Sequence, residues 1–238
     1  MSSSDCLVKA TAAEKTVRGL AAVTTGLVEE ARVRHQTAPT ASAALGRTLT
    51  AGLLLGSMLK EDETLSLQFL GTGPLRGILV DANARGEVRG FVYSPRTHLP
   101  IRRGKLDVGG SIGTGTLTVI RTQPWAKEPS RSILPLVSGE IGVAQAKPVS
   151  QMVREGATPQ EILTQVLDGF GPVMVGECPV RFVCRCNRER VLGVLVALGQ
   201  AEIKDLLIKE GQATVTCEFC DERYTVGREE LEALLVAR

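Results

Sequence analysis

Aromatic side chains are scarce. One Trp, two Tyr and five Phe make up 3% of 238 residues, so apolar surface offered to a partner is expected to be mainly aliphatic. Histidine is scarcer still, with only His35 and His98. Neither lies in a zinc-protease motif or beside a nucleophile elbow, which removes the usual hydrolytic constellations. Both are expected to be ordinary structural or surface residues. Neither sign of charge dominates. The net charge is +2, and residues 181–238 carry nine Lys/Arg against ten Asp/Glu, so the basic footprint of most nucleic-acid binders is missing. No apolar run approaches the ~20 residues of a membrane-spanning helix; 51–59 comes nearest. The glycine-rich stretch 109–115 lacks the Gly-Lys-Ser/Thr of a phosphate loop and is expected to be a hairpin connection that opens no helix. The first six residues have neither the basic nor the apolar region of a secretory signal, which makes a cytoplasmic location the expectation.

What is present is cysteine in a pattern. Cys184 and Cys186 form one close pair, and Cys217 and Cys220 form another thirty residues on. In a cytoplasmic chain such pairs indicate metal binding or redox chemistry rather than a disulfide framework. Cys-x-Cys on an extended chain puts both thiols on one face, with Cα atoms about 6.6 Å apart. A tetrahedral zinc with Zn–S bonds of about 2.3 Å holds its sulfurs roughly 3.8 Å apart, a gap that side-chain rotation can close. The expected metal ligands are therefore Cys184, Cys186, Cys217 and Cys220, around one Zn2+. A closed four-thiolate site leaves no position for substrate, so hydrolytic zinc catalysis is not expected. No other catalytic constellation emerges, and the chain is not expected to be an enzyme. Cys6 and Cys178 are left over; Cys178, beside the apolar run 173–175, is expected to be a buried spectator.

Four clustered thiolates are also oxidisable. The near-neighbour disulfides Cys184–Cys186 and Cys217–Cys220 are the expected products. A disulfide prefers Cα atoms about 5.5–6 Å apart, so the first would bend its strand. Oxidation would expel the metal, and with it the folding energy that a domain of about sixty residues needs. The cysteine chemistry thus describes a redox switch.

The periodicity along the chain gives an α+β protein. Residues 5–23 suggest a strand or hairpin, 24–35 a helix, and 40–60 a second, largely buried helix capped by Thr40. Residues 64–70, 75–82 and 87–93 alternate as strands, and 105–108 and 116–121 add two more. The proline-containing stretch 122–150 is expected to be loop. Short helices at 149–154 and 158–167 follow, the second with Thr158 and Glu161 placed as a capping box. A glycine-containing separator at 169–176 precedes the cysteine region. There Asn187 can cap a helix over 188–198 that Gly199 ends, with a further helix near 201–209, a hairpin of 213–216 with 223–226, and a last helix over 228–236.

These residues resemble a known family, the heat-shock protein 33 family. The resemblance spans nearly the whole chain: 34–47 (Arg-His-Gln-Thr-Ala-Pro-Thr-Ala-Ser-Ala-Ala-Leu-Gly-Arg), 71–75, 104–109, 135–141 and 148–152. It is most specific at 180–190 and 215–220, which carry the cysteines. The resemblance implies a mixed-sheet N-terminal domain with packed helices (1–147), a helical linker (148–178) and a small C-terminal four-cysteine zinc domain (179–238). It implies a redox-regulated, ATP-independent holdase that binds unfolding client proteins and forms a homodimer when activated, with no role for nucleic acid or membrane. It also implies zinc on the four cysteines when reduced, and the disulfides Cys184–Cys186 and Cys217–Cys220 when oxidised. One departure stands out. The family carries several tens of residues where this chain has only 142–147, so the N-terminal sheet is expected to be shortened and to expose an edge unless a second chain covers it. Two other readings compete: a zinc-ribbon nucleic-acid-binding protein, and a thiol–disulfide oxidoreductase using Cys217 and Cys220. The second needs its Cys-x-x-Cys near a helix start, whereas 221–226 reads as a hairpin strand.

Overall fold

The computed structural model describes residues 5–102, 104–135 and 149–236. The chain divides into two compact units, Met1–Val183 and Cys184–Arg238.

The first unit opens with an antiparallel hairpin, β1 (Cys6–Ala12) and β2 (Val17–Val23), in full register from Cys6 opposite Val23 to Ala12 opposite Val17. Helix α1 (Thr25–His35) follows. Its N-cap, Thr24, makes no side-chain cap; the Asp5 carboxylate instead accepts from the Gly26 and Leu27 amides at 3.1 and 2.5 Å. Helix α2 (Pro39–Gly56) is buried along its length through Ala41, Ala44, Leu45, Leu49 and Leu53. Its cap lies two residues before the expected Thr40, and it ends at Gly56 rather than near residue 60. Ala38 occupies the N-cap and Pro39 the first turn, where its missing N–H costs nothing. Thr40 is fully buried, accepting from the Leu99 amide and hydrogen-bonding His98 Nδ1 at 2.9 Å.

Strands β3 (Thr64–Gly71), β4 (Gly77–Asn83) and β5 (Glu87–Val92) form the antiparallel meander that α2 covers. The strand expected at 105–108 is reduced to a single bridge between Arg102 and Lys105. Helix α3 (Val108–Ile112) stands there instead, so the glycine stretch does open a helix. The reason is local. Asp107 caps it by accepting from the Gly110 amide at 2.8 Å, and the final carbonyls of Ser111 and Ile112 are taken by the Leu75 and Gly73 amides. Such an approach needs glycine opposite: a Cβ on Gly71 would sit 2.0 Å from the Ile112 carbonyl oxygen.

Strand β6 (Gly115–Thr122) pairs with β3, and β7 (Ser130–Pro135) pairs with β6 inside the stretch expected to be loop. Proline concealed β7, yet an edge strand tolerates a residue that cannot donate. Among the described residues β7 has β6 as its one neighbour, and its Ile133 and Leu134 are 61% and 49% exposed. Helices α4 (Val149–Arg154) and α5 (Pro159–Val166) come next. Thr158 and Glu161 form the reciprocal capping box. Met152, Ile162 and Leu163 bury themselves against Val8, Ala10, Ala21 and Val23 of the hairpin.

The separator expected at 169–176 holds the start of a strand. Gly169 and Gly171 take positive φ in the turn, and β8 (Val173–Pro179) then pairs antiparallel with β1, giving a three-stranded sheet β2-β1-β8. Finally β9 (Arg181–Phe182) runs parallel to β5. The second sheet has the order β7-β6-β3-β4-β5-β9 and is mixed. The architecture is the expected α+β.

The second unit has its own core. Helix α6 (Arg188–Leu198) is capped by Asn187, which accepts from the Arg190 amide at 2.8 Å, and Gly199 ends it at φ +103°. Helix α7 (Gln200–Lys209), the hairpin β10 (Ala213–Thr216) with β11 (Arg223–Val226), and α8 (Arg228–Val236) complete it. Val191, Leu195, Ile203, Leu207, Ala213, Val226 and Leu231 form one buried cluster.

Candidate metal centre

Two irregular segments of the second unit carry the thiols. Cys184 and Cys186 lie between β9 and α6, where the Arg190 guanidinium donates to the Arg185 carbonyl at 3.0 Å. Cys217 and Cys220 lie in the turn of the β10–β11 hairpin. That turn is closed by the Cys217 amide on the Glu222 carbonyl at 2.9 Å and the Asp221 amide on the Cys217 carbonyl at 2.8 Å, with Asp221 at φ +59°. The Cys-x-x-Cys therefore sits in a hairpin turn and does not open a helix, which is the context a dithiol oxidoreductase would need.

The structure brings all four expected ligands together. Cys184 Sγ is 3.6 Å from Cys217 Sγ, Cys186 Sγ is 3.4 Å from Cys220 Sγ, and all four sulfurs lie within 4.8 Å of one another. A tetrahedron of thiolates around zinc has edges of about 3.8 Å. The four cysteines can hold one metal ion, and an all-sulfur donor set suits a soft or borderline cation such as Zn2+. Cys220 is buried and the other three are half-buried. The approaches of 3.6 and 3.4 Å both run between the two sequence pairs, so proximity alone does not select a disulfide pairing.

Without a metal the cluster is electrostatically uneven. Burial pushes the Cys184 thiol up, but hydrogen bonds from the Cys186 amide and from the thiols of Cys186, Cys220 and Cys217 outweigh it, bringing Cys184 down to about 7. Burial raises Cys217, reinforced by its neighbour Cys184. Cys220 is raised further, by burial and by hydrogen bonds with Cys186, Cys184 and Cys217. A cation binding all four sulfurs would displace the protons that they carry.

Cys6 and Cys178 belong to the first unit and are not among the four clustered thiols. In the β1–β8 pair Cys6 faces Pro179 and Leu7 faces Cys178, so the two thiols point to opposite faces. Burial is the first cause raising both thiols. Cys178 is half-buried rather than buried, because its neighbours Val173 and Val175 are exposed on β8. Two contacts at the centre escaped the sequence reading. The Tyr224 hydroxyl donates to Cys186 Sγ at 3.2 Å, and Arg188 pairs with Glu230, tying the start of α6 to α8. The alternation of β11 was the only signal for the first.

A mixed-sheet α+β body followed by a small helical unit in which four thiols converge defines a protein organised around a thiol metal centre. The family model described as Hsp33 protein matches residues 5–147 and 142–227. The 33 kDa chaperonin of Geobacillus kaustophilus (strain HTA426) is 40% identical over 286 residues, covering 97% of both chains. That of Bacillus subtilis (strain 168) is 38% identical, over 97% of this chain and 98% of the relative. The crystal structure of the 33 kDa chaperonin (heat shock protein 33 homolog) from Thermotoga maritima superposes with a TM-score of 0.90 at 29% identity, over 98% of each chain. The chain belongs to the Hsp33 family. The Geobacillus alignment runs over 286 positions against 238 residues here, so that relative carries a stretch with no counterpart in this chain.

Proposed function

We propose that this protein is a redox-regulated, ATP-independent holdase chaperone of the cytoplasm. In the reduced state Cys184, Cys186, Cys217 and Cys220 bind one Zn2+, which locks the C-terminal domain (179–238). Oxidation forms Cys184–Cys186 and Cys217–Cys220: two equivalents of peroxide take four electrons from the four thiolates and, with four protons, leave two disulfides and four waters. The zinc is released. The linker (148–178) then comes away from the N-terminal core (1–147), exposed aliphatic surface holds unfolding proteins, and the activated form is a homodimer.

The observation that carries this reading is the convergence of four sulfurs within 4.8 Å in a chain whose relatives are named chaperonins. The linker assignment is supported by how α4 and α5 are held: Met152, Ile162 and Leu163, flanked by the partly buried Val153, Ala157, Val166 and Leu167, pack on the small hairpin residues Val8, Ala10, Ala21 and Val23. Among the described residues no helix is long and apolar enough to cross a membrane. The second unit carries no basic excess to favour nucleic acid.

The test is aggregation of a heat-denatured client followed by light scattering, with zinc-loaded reduced protein against peroxide-treated protein. Protection only after oxidation is expected. Equal protection in both states removes the switch, and protection in neither removes the chaperone.

A further inference from the structure

Each sulfur of the cluster meets a hydrogen-bond donor, and one donor differs in kind. The Cys184 sulfur accepts from the Cys186 amide, the Cys217 sulfur from the Phe219 amide and the Cys220 sulfur from the Glu222 amide. Each is a peptide N–H two residues along the chain, held by the turn and unchanged by a side-chain substitution. The donor on Cys186 Sγ is the Tyr224 hydroxyl, at 3.2 Å. Tyr224 stands on β11 opposite Val215, and its ring packs against the buried cluster of the second unit. A side chain packed against the core of the second unit thus reaches the Cys186 sulfur.

We propose that Tyr224 is a positioning residue that sets the oxidation threshold of the centre by engaging Cys186. This rests on the proposed zinc-thiolate switch and adds a residue to it. Attack on peroxide uses a sulfur lone pair: the sulfur bonds to one peroxide oxygen, the O–O bond breaks, and the departing hydroxide leaves as water after taking a proton. A neighbouring thiolate then displaces the hydroxyl from the oxidised sulfur as hydroxide, which takes a second proton, so that the disulfide and a second water form. A hydroxyl hydrogen-bonded to that sulfur lowers its charge density and occupies its approach side. Cys186 is therefore the slow partner, and the centre resists mild oxidation for as long as Tyr224 stays docked. Because the ring belongs to the domain core, loosening of that core by heat withdraws the hydroxyl and sensitises the sulfur.

Tyr224→Phe removes the hydroxyl and keeps the ring. In the full-length, zinc-loaded variant, peroxide-driven zinc release, followed with a chromophoric chelator, should run roughly three to ten times faster than in the parent chain, in line with loss of one ordinary hydrogen bond. Substituting Co2+ for zinc gives a readout that mere destabilisation would not move: the sulfur-to-cobalt charge-transfer band should shift to lower energy in Tyr224→Phe. Timed alkylation of the parent protein provides an arm independent of the variant's folding, with Cys186 expected not to be the first sulfur modified. Unchanged release rate and an unmoved cobalt band in Tyr224→Phe, or Cys186 reacting first in the parent, overturn the proposal while leaving the switch intact. A parent protein that keeps its zinc under peroxide overturns both.

Discussion

Glu87 on β5 accepts a hydrogen bond from the Arg181 guanidinium on β9 at 2.7 Å, joining residues 94 positions apart in the chain. The same carboxylate takes the Asn83 side-chain amide at 2.8 Å and is only 13% exposed. Together with the parallel pairing of β5 and β9, this ties the last strand of the first unit into its sheet.

The anchor carries a pH signature. Hydrogen bonds from Asn83 and then Arg181 hold the Glu87 carboxyl below its ordinary value, more than burial raises it. A carboxyl lowered in the folded state stabilises it above the unfolded value of about 4.3, and that contribution is lost as the pH falls through the folded value. Glu87→Gln should therefore melt below the parent at pH 7, with the gap closing under about pH 4. Thermal melts across pH 3–8 of both proteins check it. A gap that is constant across that range would show that the ion pair contributes nothing.

Removing the metal should be more drastic. The second unit buries one modest apolar cluster, and structural zinc supplies about 10 kcal/mol or more of apparent folding energy in small domains. A strong chelator added to reduced protein is expected to abolish the helical signal of α6, α7 and α8 while the sheets of the first unit persist. Hydrogen exchange resolved by segment separates the two. Protection of 188–198 that survives full zinc removal would refute a metal-dependent fold.

Much of this was legible in sequence wherever side-chain pattern and local chemistry agree. The capping box at Thr158 and Glu161, the Asn187 cap and each of the two cysteine pairs depend on residues within a few positions of one another, and the pairing of β10 with β11 needs only a short hairpin. What escaped depends on partners far away. β7 forms because β6 offers an edge, and β8 because β1 does; neither has an alternation strong enough to announce itself among prolines or glycines. α3 read as a hairpin link because glycine disfavours helix, and only the amides of Gly73 and Leu75, distant in sequence, make its short turn worth forming. Tyr224 on Cys186 is a tertiary contact of the same sort, invisible until the hairpin register is known.

Gly71 offers a test of that docking. A methyl group there would come within 2.0 Å of the Ile112 carbonyl oxygen, and the same oxygen is the acceptor of the Gly73 amide. Backbone, not a pliable side chain, would have to move. Gly71→Ala should cost about 3 kcal/mol, at the upper end for overpacking. Gly109→Ala, where a Cβ meets nothing within 4 Å, should be neutral or slightly stabilising because alanine is the better helix former. Denaturant melts of the pair decide it. Equal stability would mean that α3 is not held as described.

The linker reading makes the sharpest functional prediction. Ile162 is buried against the β1–β2 hairpin, and truncating it to alanine should cost about 2–5 kcal/mol, most of it local to α4 and α5. Thr158→Ala loses one half of the capping box and should cost only about 1 kcal/mol. If detachment of these helices exposes the client-binding surface, then reduced, zinc-loaded Ile162→Ala should suppress client aggregation without oxidant, and Thr158→Ala should do so partially or only on warming. Zinc content measured in the same samples keeps the two halves of the switch apart. Activity in Ile162→Ala with zinc retained places the linker downstream of the metal centre. An inactive Ile162→Ala whose helices have demonstrably lost exchange protection would show that the surface under α5 is not where clients bind.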